Sequence, residues 1–221
     1  MKSDQDKDYV HENGNTSRFL IHALTLILAL LLVSCGKNYS PEQKAYIEQI
    51  EKFRADKNDE MKNDSSSPFN KKGKIEFHDL KYFDIDPVFV FKSKLTEYSP
   101  KDTVTIYGTK GEPRKSVRYG YVEINYENQP HKINVYQGSA AGGQIYYSIW
   151  FTDKTTDKET YGVGRYIDFE KVEDPNYVYT IDFNLAYNPY CAYSLNFSCA
   201  IPTKEDFIPI AINAGEKKFH N

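Results

Sequence analysis

Residues 117–136, VRYGYVEINYENQPHKINVY, decide the fold. Large apolar or aromatic side chains alternate with polar ones on both sides of the turn-forming segment Glu127–Pro130, and such alternation is typical of half-buried strands. The alternation slips by one position near Val122, which indicates a β-bulge. The segment therefore predicts two antiparallel strands, Val117–Tyr126 and Lys132–Tyr136, joined as a hairpin.

Six further segments share the strand character of this hairpin. They are rich in Val, Ile, Tyr, Phe and Thr, and turn residues separate them: Val88–Phe91, Val104–Tyr107, Gln144–Phe151, Arg165–Phe169, Tyr177–Phe183 and Ile208–Ile212. No helical periodicity intervenes between these segments, as it would in an α/β protein. The pattern predicts an all-β domain, an antiparallel sandwich or barrel of about eight strands.

An α-helix precedes the strands in the predicted order. Ser40–Gln43 combines an N-cap serine, a proline at the first helical position and the spacing of a capping box. Ile47, Ile50 and Phe53 form a narrow apolar stripe, and the helix is expected to fray near Asn58–Asn63. The stripe either docks on the β domain or binds a partner, and docking is the favoured interpretation.

The apolar run Phe19–Val33 is fifteen residues long and carries no formal charge. It is shorter than the roughly 20 residues of a membrane-spanning helix and has the length of a signal-peptide core. Leu32–Gly36, which follows at once, resembles a bacterial lipobox, in which the thiol of Cys35 receives a diacylglyceryl group and becomes the mature N-terminus. The alternative is an apolar leader with an accidental cysteine.

This leader predicts the domain organisation and the location of the protein. We expect a lipoprotein signal peptide at 1–34, a lipid-anchored tether and helix at 35–75, and the β domain at 76–221. The membrane is then a partner through the Cys35 lipid anchor, and the location is the cell envelope. Because Gly36 rather than an aspartate follows the cysteine, the outer membrane is expected if the host is Gram-negative.

Composition excludes some classes of partner. The 221 residues include 28 basic and 31 acidic ones, a net charge of −3, whereas a nucleic-acid binder needs a clustered basic excess. No cofactor motif is evident, and a metal site is not predicted, because Cys191 and Cys199 without a nearby His fall short of four zinc ligands. Asp153, Asp157 and Glu159 lack the spacing of a calcium loop and are interpreted as a solvated turn.

A polar constellation near the C-terminal end is the candidate binding or catalytic site. Gly162 and Gly164 alternate, so both would leave one sheet face bare for a close approach. Arg165 follows them into a strand, and Asp182 and Asn184 alternate on another strand. Arginine pairs bidentately with carboxylate or phosphate, so these side chains are expected to converge on an orienting polar cluster.

A turn follows that second strand and adds two candidates to the site, Tyr187 and Asn188. The surrounding sequence resembles the bacterial and archaeal family called domain of unknown function 1684. The resemblance rests on DKETYGVGRYIDF at 157–169, IDFNLAYNPYCAYSLNFSCAIP at 181–202 and IPIAINAGEK at 208–217, and it extends over about residues 44–218. Ala200 and Thr203 stand where the family pattern leads us to expect proline. The resemblance implies no reaction.

Cys191 and Cys199 enclose a nine-residue loop. In an exported protein the favoured interpretation is a disulfide, which would stabilise the fold by about 2.5 kcal/mol. Buried free thiols rank second, and a reactive pair near Arg165 ranks third.

Two functions remain open from the sequence. The first is a non-enzymatic lipoprotein that binds a small-molecule ligand or an envelope partner through a polar pocket. The second is an envelope hydrolase that uses the polar residues Arg165, Asp182, Asn184 and Asn188 and the adjacent Cys191. The hydrolase needs its carboxylate in a pocket that shifts the pKa of that group.

Overall fold

Eight β-strands follow one α-helix in the part of the chain that this computed structural model describes, residues 38–72, 74–140 and 142–220. The elements are α1 (Pro41–Asn63), β1 (Val90–Lys94), β2 (Thr96–Tyr107), β3 (Pro113–Tyr126), β4 (Gln129–Ser139), β5 (Ile145–Asp153), β6 (Arg165–Phe169), β7 (Val178–Asp182) and β8 (Phe207–Ile208). The apolar run Phe19–Val33 and the segment Leu32–Gly36 with Cys35 lie outside the described residues.

The strands form two sheets, which confirms the all-β prediction. In the larger sheet, β2, β3, β4, β5 and β6 lie side by side in chain order and antiparallel, and the sheet curls into a half-barrel. The short β8 adds to β5 in parallel, while β1 and β7 form a separate antiparallel pair. The predicted strand Ile208–Ile212 is reduced to Phe207–Ile208, and the chain after it leaves the sheet.

The β3–β4 hairpin is confirmed, but its bulge lies earlier than predicted. Glu127 and Asn128 form the turn with φ of 51° and 60°, the left-handed values that a two-residue hairpin turn requires. The register shifts between Arg118 and Gly120 rather than near Val122. Val122 is fully buried and in phase with the inward positions of β3, so the alternation is already restored there.

The main core fills the concave side of the half-barrel. Its buried side chains come from the inward positions of β3 to β6, from the β1–β7 pair and from the C-terminal segment, and they include Val122, Ile124, Val135, Ile149, Phe151, Ile181, Phe183 and Ile212. A smaller cluster of Met61, Phe69, Leu80, Tyr193 and Phe219 packs beneath the end of α1. The aromatic members bury large areas, so they account for much of the hydrophobic stabilisation.

Helix α1 docks on the β domain, as the sequence favoured, but along a different stripe. Ile50 and Met61 are buried, whereas Phe53 is 42% exposed. Three residues advance a helix by about 300°, so a repeat of three drifts off one face over two steps. The docked face instead includes the half-buried Arg54 and Lys57, and residues 41–221 form one compact unit. No helix within the described ranges is both long enough and apolar enough to cross a membrane.

Candidate functional site

Arg165 opens β6 and is 1% exposed. Its Nη2 lies 3.0 Å from Oδ2 of Asp153, and the same nitrogen donates to the Ile212 carbonyl at 2.9 Å. Nη1 donates to the Ala214 carbonyl. Burial lowers the pKa of the guanidinium, and the Asp153 carboxylate opposes that effect. Arg165 therefore holds the C-terminal segment against the half-barrel, and it does so through hydrogen bonds to groups within the protein.

Asp153 is the partner that sequence reasoning missed. It ends β5 and is buried, not solvated as its interpretation in a turn implied. Oδ1 accepts from the Thr155 amide at 3.0 Å and from the Thr155 hydroxyl at 2.6 Å, and Oδ2 accepts from the Ile212 amide at 3.0 Å. The sequence does contain an indication that Asp153 is buried. Side chains two residues apart on a strand lie on the same face, and Phe151 faces inward.

Asp182 and Asn184 lie together, in a network of their own. Asp182 ends β7 and caps a short 3-10 turn, since its Oδ1 accepts from the Asn184 amide at 2.9 Å. Its Oδ2 accepts from the hydroxyl of Tyr46 on α1 at 2.8 Å. The Asn184 side chain exchanges two hydrogen bonds of 2.9 Å with the backbone of Asp86. This pair joins the helix, β7 and the segment before β1.

Asn188 belongs to a third network, centred on Glu216, whose side chain is 0% exposed. Asn188 donates from Nδ2 to Oε1 at 2.9 Å and from its amide to Oε2 at 3.2 Å, and the Tyr193 hydroxyl donates to Oε1. Nζ of Lys57, which α1 supplies, lies 3.7 Å from Oε2 and 4.5 Å from the centre of the Tyr187 ring. A buried carboxylate thus faces one ammonium and three hydrogen-bond donors.

Burial shifts the pKa values of both charged groups in this third network, Glu216 and Lys57. Burial raises the pKa of the Glu216 carboxyl, and the charge of Lys57 is the strongest opposing influence. Burial likewise lowers the pKa of the Lys57 ammonium, which Glu216 partly restores. Each group therefore depends on the other to remain charged. The sequence analysis assigns no role to Glu216, because its partner Lys57 lies on a helix far away in the chain.

Tyr187 extends the third network towards β6. Its hydroxyl donates to Oδ1 of Asp168 at 2.6 Å, and its backbone exchanges hydrogen bonds of 2.9 and 3.0 Å with Tyr166. Burial raises the pKa of the Tyr187 hydroxyl, and the Asp168 charge adds to that increase. The structure therefore distributes the predicted polar residues over three networks, and each network joins separate parts of the fold.

The two glycines of the predicted bare face have different roles. Gly164 has φ of +105°, and a Cβ there would lie 2.5 Å from the Phe151 carbonyl oxygen, so a neighbouring strand occupies its open side. Gly162 lines a surface cavity, and its missing Cβ would lie 2.9 Å from Oδ1 of Asp157. The close approach expected from the sequence is thus made by backbone at Gly164 and by a polar side chain at Gly162.

This cavity, the Gly162 cavity, has a volume of about 310 Å³. Its polar lining consists of Asp157, Thr160, Tyr161, Lys218 and His220. It therefore presents one carboxylate, one ammonium and one imidazole around a space of small-ligand size. Within the described ranges, no group of three or more His, Cys, Asp or Glu side chains is arranged to hold a metal ion.

Cys191 and Cys199 are free thiols in the structure, so the disulfide stays a prediction. The Cys191 amide donates to the Cys199 sulfur at 3.2 Å, and the Tyr161 hydroxyl lies 3.8 Å from the Cys191 sulfur. A hydrogen bond from the Cys199 thiol lowers the pKa of Cys191 to about 7. The same bond, together with burial, raises the pKa of Cys199.

These features define a class of protein: a β half-barrel with a docked N-terminal helix and three buried polar networks. The family described as "Protein of unknown function (DUF1684)" matches residues 75–217, and the chain belongs to this family. The chain is also similar to an uncharacterized protein from Haloarcula marismortui whose solution NMR structure is known. The two are 25% identical with a TM-score of 0.59, over 80% of this chain and 96% of that chain. No curated protein matches the chain.

Proposed function

We propose that the protein is a membrane-anchored lipoprotein of the cell envelope, held by a lipid on Cys35, that serves as a ligand-binding or envelope-accessory module. The observation that carries the proposal is the lipobox-like segment Leu32–Gly36 directly after the apolar run. Helix α1 begins at Pro41, so the tether between the lipid and the folded unit reaches at most about 20 Å. In a Gram-negative host, Gly36 favours the outer membrane.

We place the ligand of this module in the Gly162 cavity. The Asp157 carboxylate suits a ligand ammonium, while Lys218 and His220 suit a ligand carboxylate. A volume of about 310 Å³ suits a molecule of amino-acid size. We therefore propose a small zwitterion as the class of ligand.

The hydrolase remains the alternative prediction, and the geometry supports it less. Arg165 is paired with Asp153, and the oxygens of Asp182 accept from Tyr46 and Asn184. Acid–base chemistry needs a carboxylate that can reach a substrate, whereas these groups meet their own neighbours. The binding module has no such requirement.

Lipid attachment at Cys35 can be tested by metabolic labelling in the producing bacterium. With an alkyne-bearing fatty acid, we expect the wild-type chain to be labelled and to sediment with membranes. Cys35→Ala removes the only thiol within the lipobox-like segment, so we expect no label and an uncleaved leader. Cys191→Ser is the matched control and should keep the label. An unlabelled wild-type chain, or a labelled Cys35→Ala chain, would contradict the proposed anchor.

Ligand binding in the cavity can be tested by thermal shift with free amino acids at 10 mM. A ligand with Kd near 1 mM stabilises a protein by about 1.4 kcal/mol at this concentration, which raises Tm by several degrees. Asp157→Asn removes the carboxylate and suits the φ of +65° at this position, so it should abolish the shift without changing the unliganded Tm. Lys158→Ala, on the exposed neighbour, is the control. The absence of a wild-type shift with every amino acid argues against a zwitterion.

A further inference from the structure

We propose that Cys191 and Cys199 form a reversible dithiol–disulfide couple, in which Cys191 supplies the attacking thiolate and Cys199 resolves the mixed disulfide. The couple is independent of the ligand in the Gly162 cavity. It requires only contact with a disulfide that accepts two electrons, called the carrier here, which is either a small-molecule disulfide or a protein disulfide.

The first step of the argument is proximity. The Cys199 sulfur lies 3.2 Å from the Cys191 amide nitrogen, and the Cβ of any residue is about 2.5 Å from its own nitrogen. The Cys199 thiol also lowers the pKa of the Cys191 thiol, which agrees with close side chains. The two side chains are therefore neighbours, and the proposed bond forms when rotation of the side chains brings the sulfurs to about 2.0 Å.

Both cysteines have backbones held by neighbouring structure. Cys191 lies in the 3-10 turn Tyr190–Ala192. Cys199 exchanges two hydrogen bonds with Thr109 in the β2–β3 turn, from the Thr109 amide to its carbonyl at 3.0 Å and from its own amide to the Thr109 hydroxyl at 3.2 Å. Because these contacts fix the approach of the two sulfurs, the pair is preorganised to form a bond.

The two thiols differ in a way that assigns their roles. Cys191 accepts hydrogen bonds from the Cys199 thiol and the Tyr161 hydroxyl, and both favour its thiolate. Cys199 acts as the donor in that pair and keeps its proton longer. Since the thiolate is the nucleophile, the first attack on a carrier comes from Cys191.

In the proposed reaction, the carrier disulfide accepts the two electrons that the protein loses. The Cys191 thiolate attacks one sulfur of the carrier disulfide, which breaks the carrier S–S bond and releases one carrier thiolate. Cys199 then loses its proton and displaces the second carrier thiolate, which forms the Cys191–Cys199 bond. The protein loses two electrons and two protons, and the carrier leaves as two thiols. The bond closes the loop that contains Leu195, which is 89% exposed.

The test uses the full chain extracted from membranes and equilibrated in buffers of reduced and oxidised glutathione. After acid quenching and alkylation, we expect peptide mapping to show a Cys191–Cys199 disulfide in oxidised buffer and two alkylated cysteines after reduction. The transition should fit a two-electron couple. Full alkylation of both cysteines in oxidised glutathione would overturn the proposal, and so would pairing of either one with Cys35.

Two serine variants test the roles. In Cys199→Ser the serine hydroxyl can still donate to the Cys191 sulfur, so we expect Cys191 to form a mixed disulfide with glutathione more than about tenfold faster than Cys199 does in Cys191→Ser. Equal rates, or a faster reaction in Cys191→Ser, would overturn the assignment. Circular dichroism of each variant verifies its folding. If a variant unfolds, the wild-type redox titration still tests whether Cys191 and Cys199 form a reversible couple.

Discussion

Replacement of Arg165 by Met is expected to lower the free energy of unfolding by about 3–5 kcal/mol. The guanidinium is 1% exposed and is the ion-pair partner of the buried Asp153 carboxylate. Methionine fills a similar apolar volume but leaves that carboxylate without its counter-charge. It also removes the donors to the Ile212 and Ala214 carbonyls, which hold the C-terminal segment. Unpaired buried carbonyls add to the cost.

Urea denaturation followed by far-UV circular dichroism measures this effect. Lys52→Met is the control, because Lys52 forms an ion pair of 2.6 Å with Asp56 that is exposed on both sides. Exposed pairs of this kind contribute little, so the control should be hard to distinguish from wild type. In the double variant Arg165→Met/Asp153→Leu no buried charge is left unpaired, and we expect a smaller total loss than the sum of the single effects. A loss below about 1 kcal/mol for Arg165→Met alone would contradict a structural role.

The parts of the fold predicted correctly from sequence are those determined by neighbours along the chain. The β3–β4 hairpin follows from alternation and from the turn-forming segment Glu127–Pro130, in which Asn128 readily accepts a left-handed φ. The start of α1 at Pro41 follows from capping chemistry that occupies four consecutive residues. Both are local properties, so sequence alone is enough for them.

The incorrect details depend on packing between distant elements. The helix face that contacts the domain leaves Phe53 exposed but covers all except 17% of the Lys57 side chain, because Glu216 provides a counter-charge at that point. An amphipathic pattern based on hydrophobicity assigns charged residues to solvent, so it cannot place a buried lysine. Similarly, Asp153 was interpreted as solvated because its partner Arg165 lies across the β5–β6 pairing.

In the candidate site as well, the sequence does not identify the partners that come from distant elements. The sequence singles out Arg165, Asp182, Asn184 and Asn188 as candidate site residues, and all four are buried. Their convergence is predicted from strand alternation and from the pairing chemistry of arginine, whereas the partners that hold them come from other elements. Tyr46 and Asp182, for example, are 136 residues apart. Side-chain periodicity gives the face of a residue but not the residue opposite to it.

Replacement of Lys57 by Met is expected to lower the free energy of unfolding by about 3 kcal/mol at pH 8. Its ammonium is the counter-charge of the fully buried Glu216 carboxylate, at 3.7 Å. Methionine retains most of the contact with the Tyr187 ring, so the loss reports chiefly on the charge. The effect should be smaller than that of Arg165→Met, because Glu216 can take up a proton and so avoid an unpaired charge.

The pH dependence of Lys57→Met distinguishes lost charge from lost packing. Burial already raises the pKa of Glu216, and the removal of Lys57 takes away the strongest influence that lowers it. The folded state of the variant therefore binds this proton more tightly than the unfolded state, whose glutamate has a pKa near 4.3. Stability must then rise as pH falls from the folded-state pKa towards about 4.3, by up to about 1.4 kcal/mol per pH unit. Because the pKa of Glu216 is also raised in wild type, the deficit should shrink between the Glu216 pKa of the variant and the lower Glu216 pKa of wild type.

Chemical denaturation at a series of pH values between 8 and 5 measures the deficit as a difference from wild type, so the titrations that both proteins share cancel. Lys52→Met lies on the same helix but faces solvent, and its profile should run parallel to that of wild type. If the Lys57→Met profile is parallel as well, Glu216 does not feel the charge of Lys57, and the third network is held by hydrogen bonds from Asn188 and Tyr193 alone. A deficit that closes towards pH 5 instead means that α1 is docked through a buried charge pair, because only a proton on Glu216 can replace the missing ammonium.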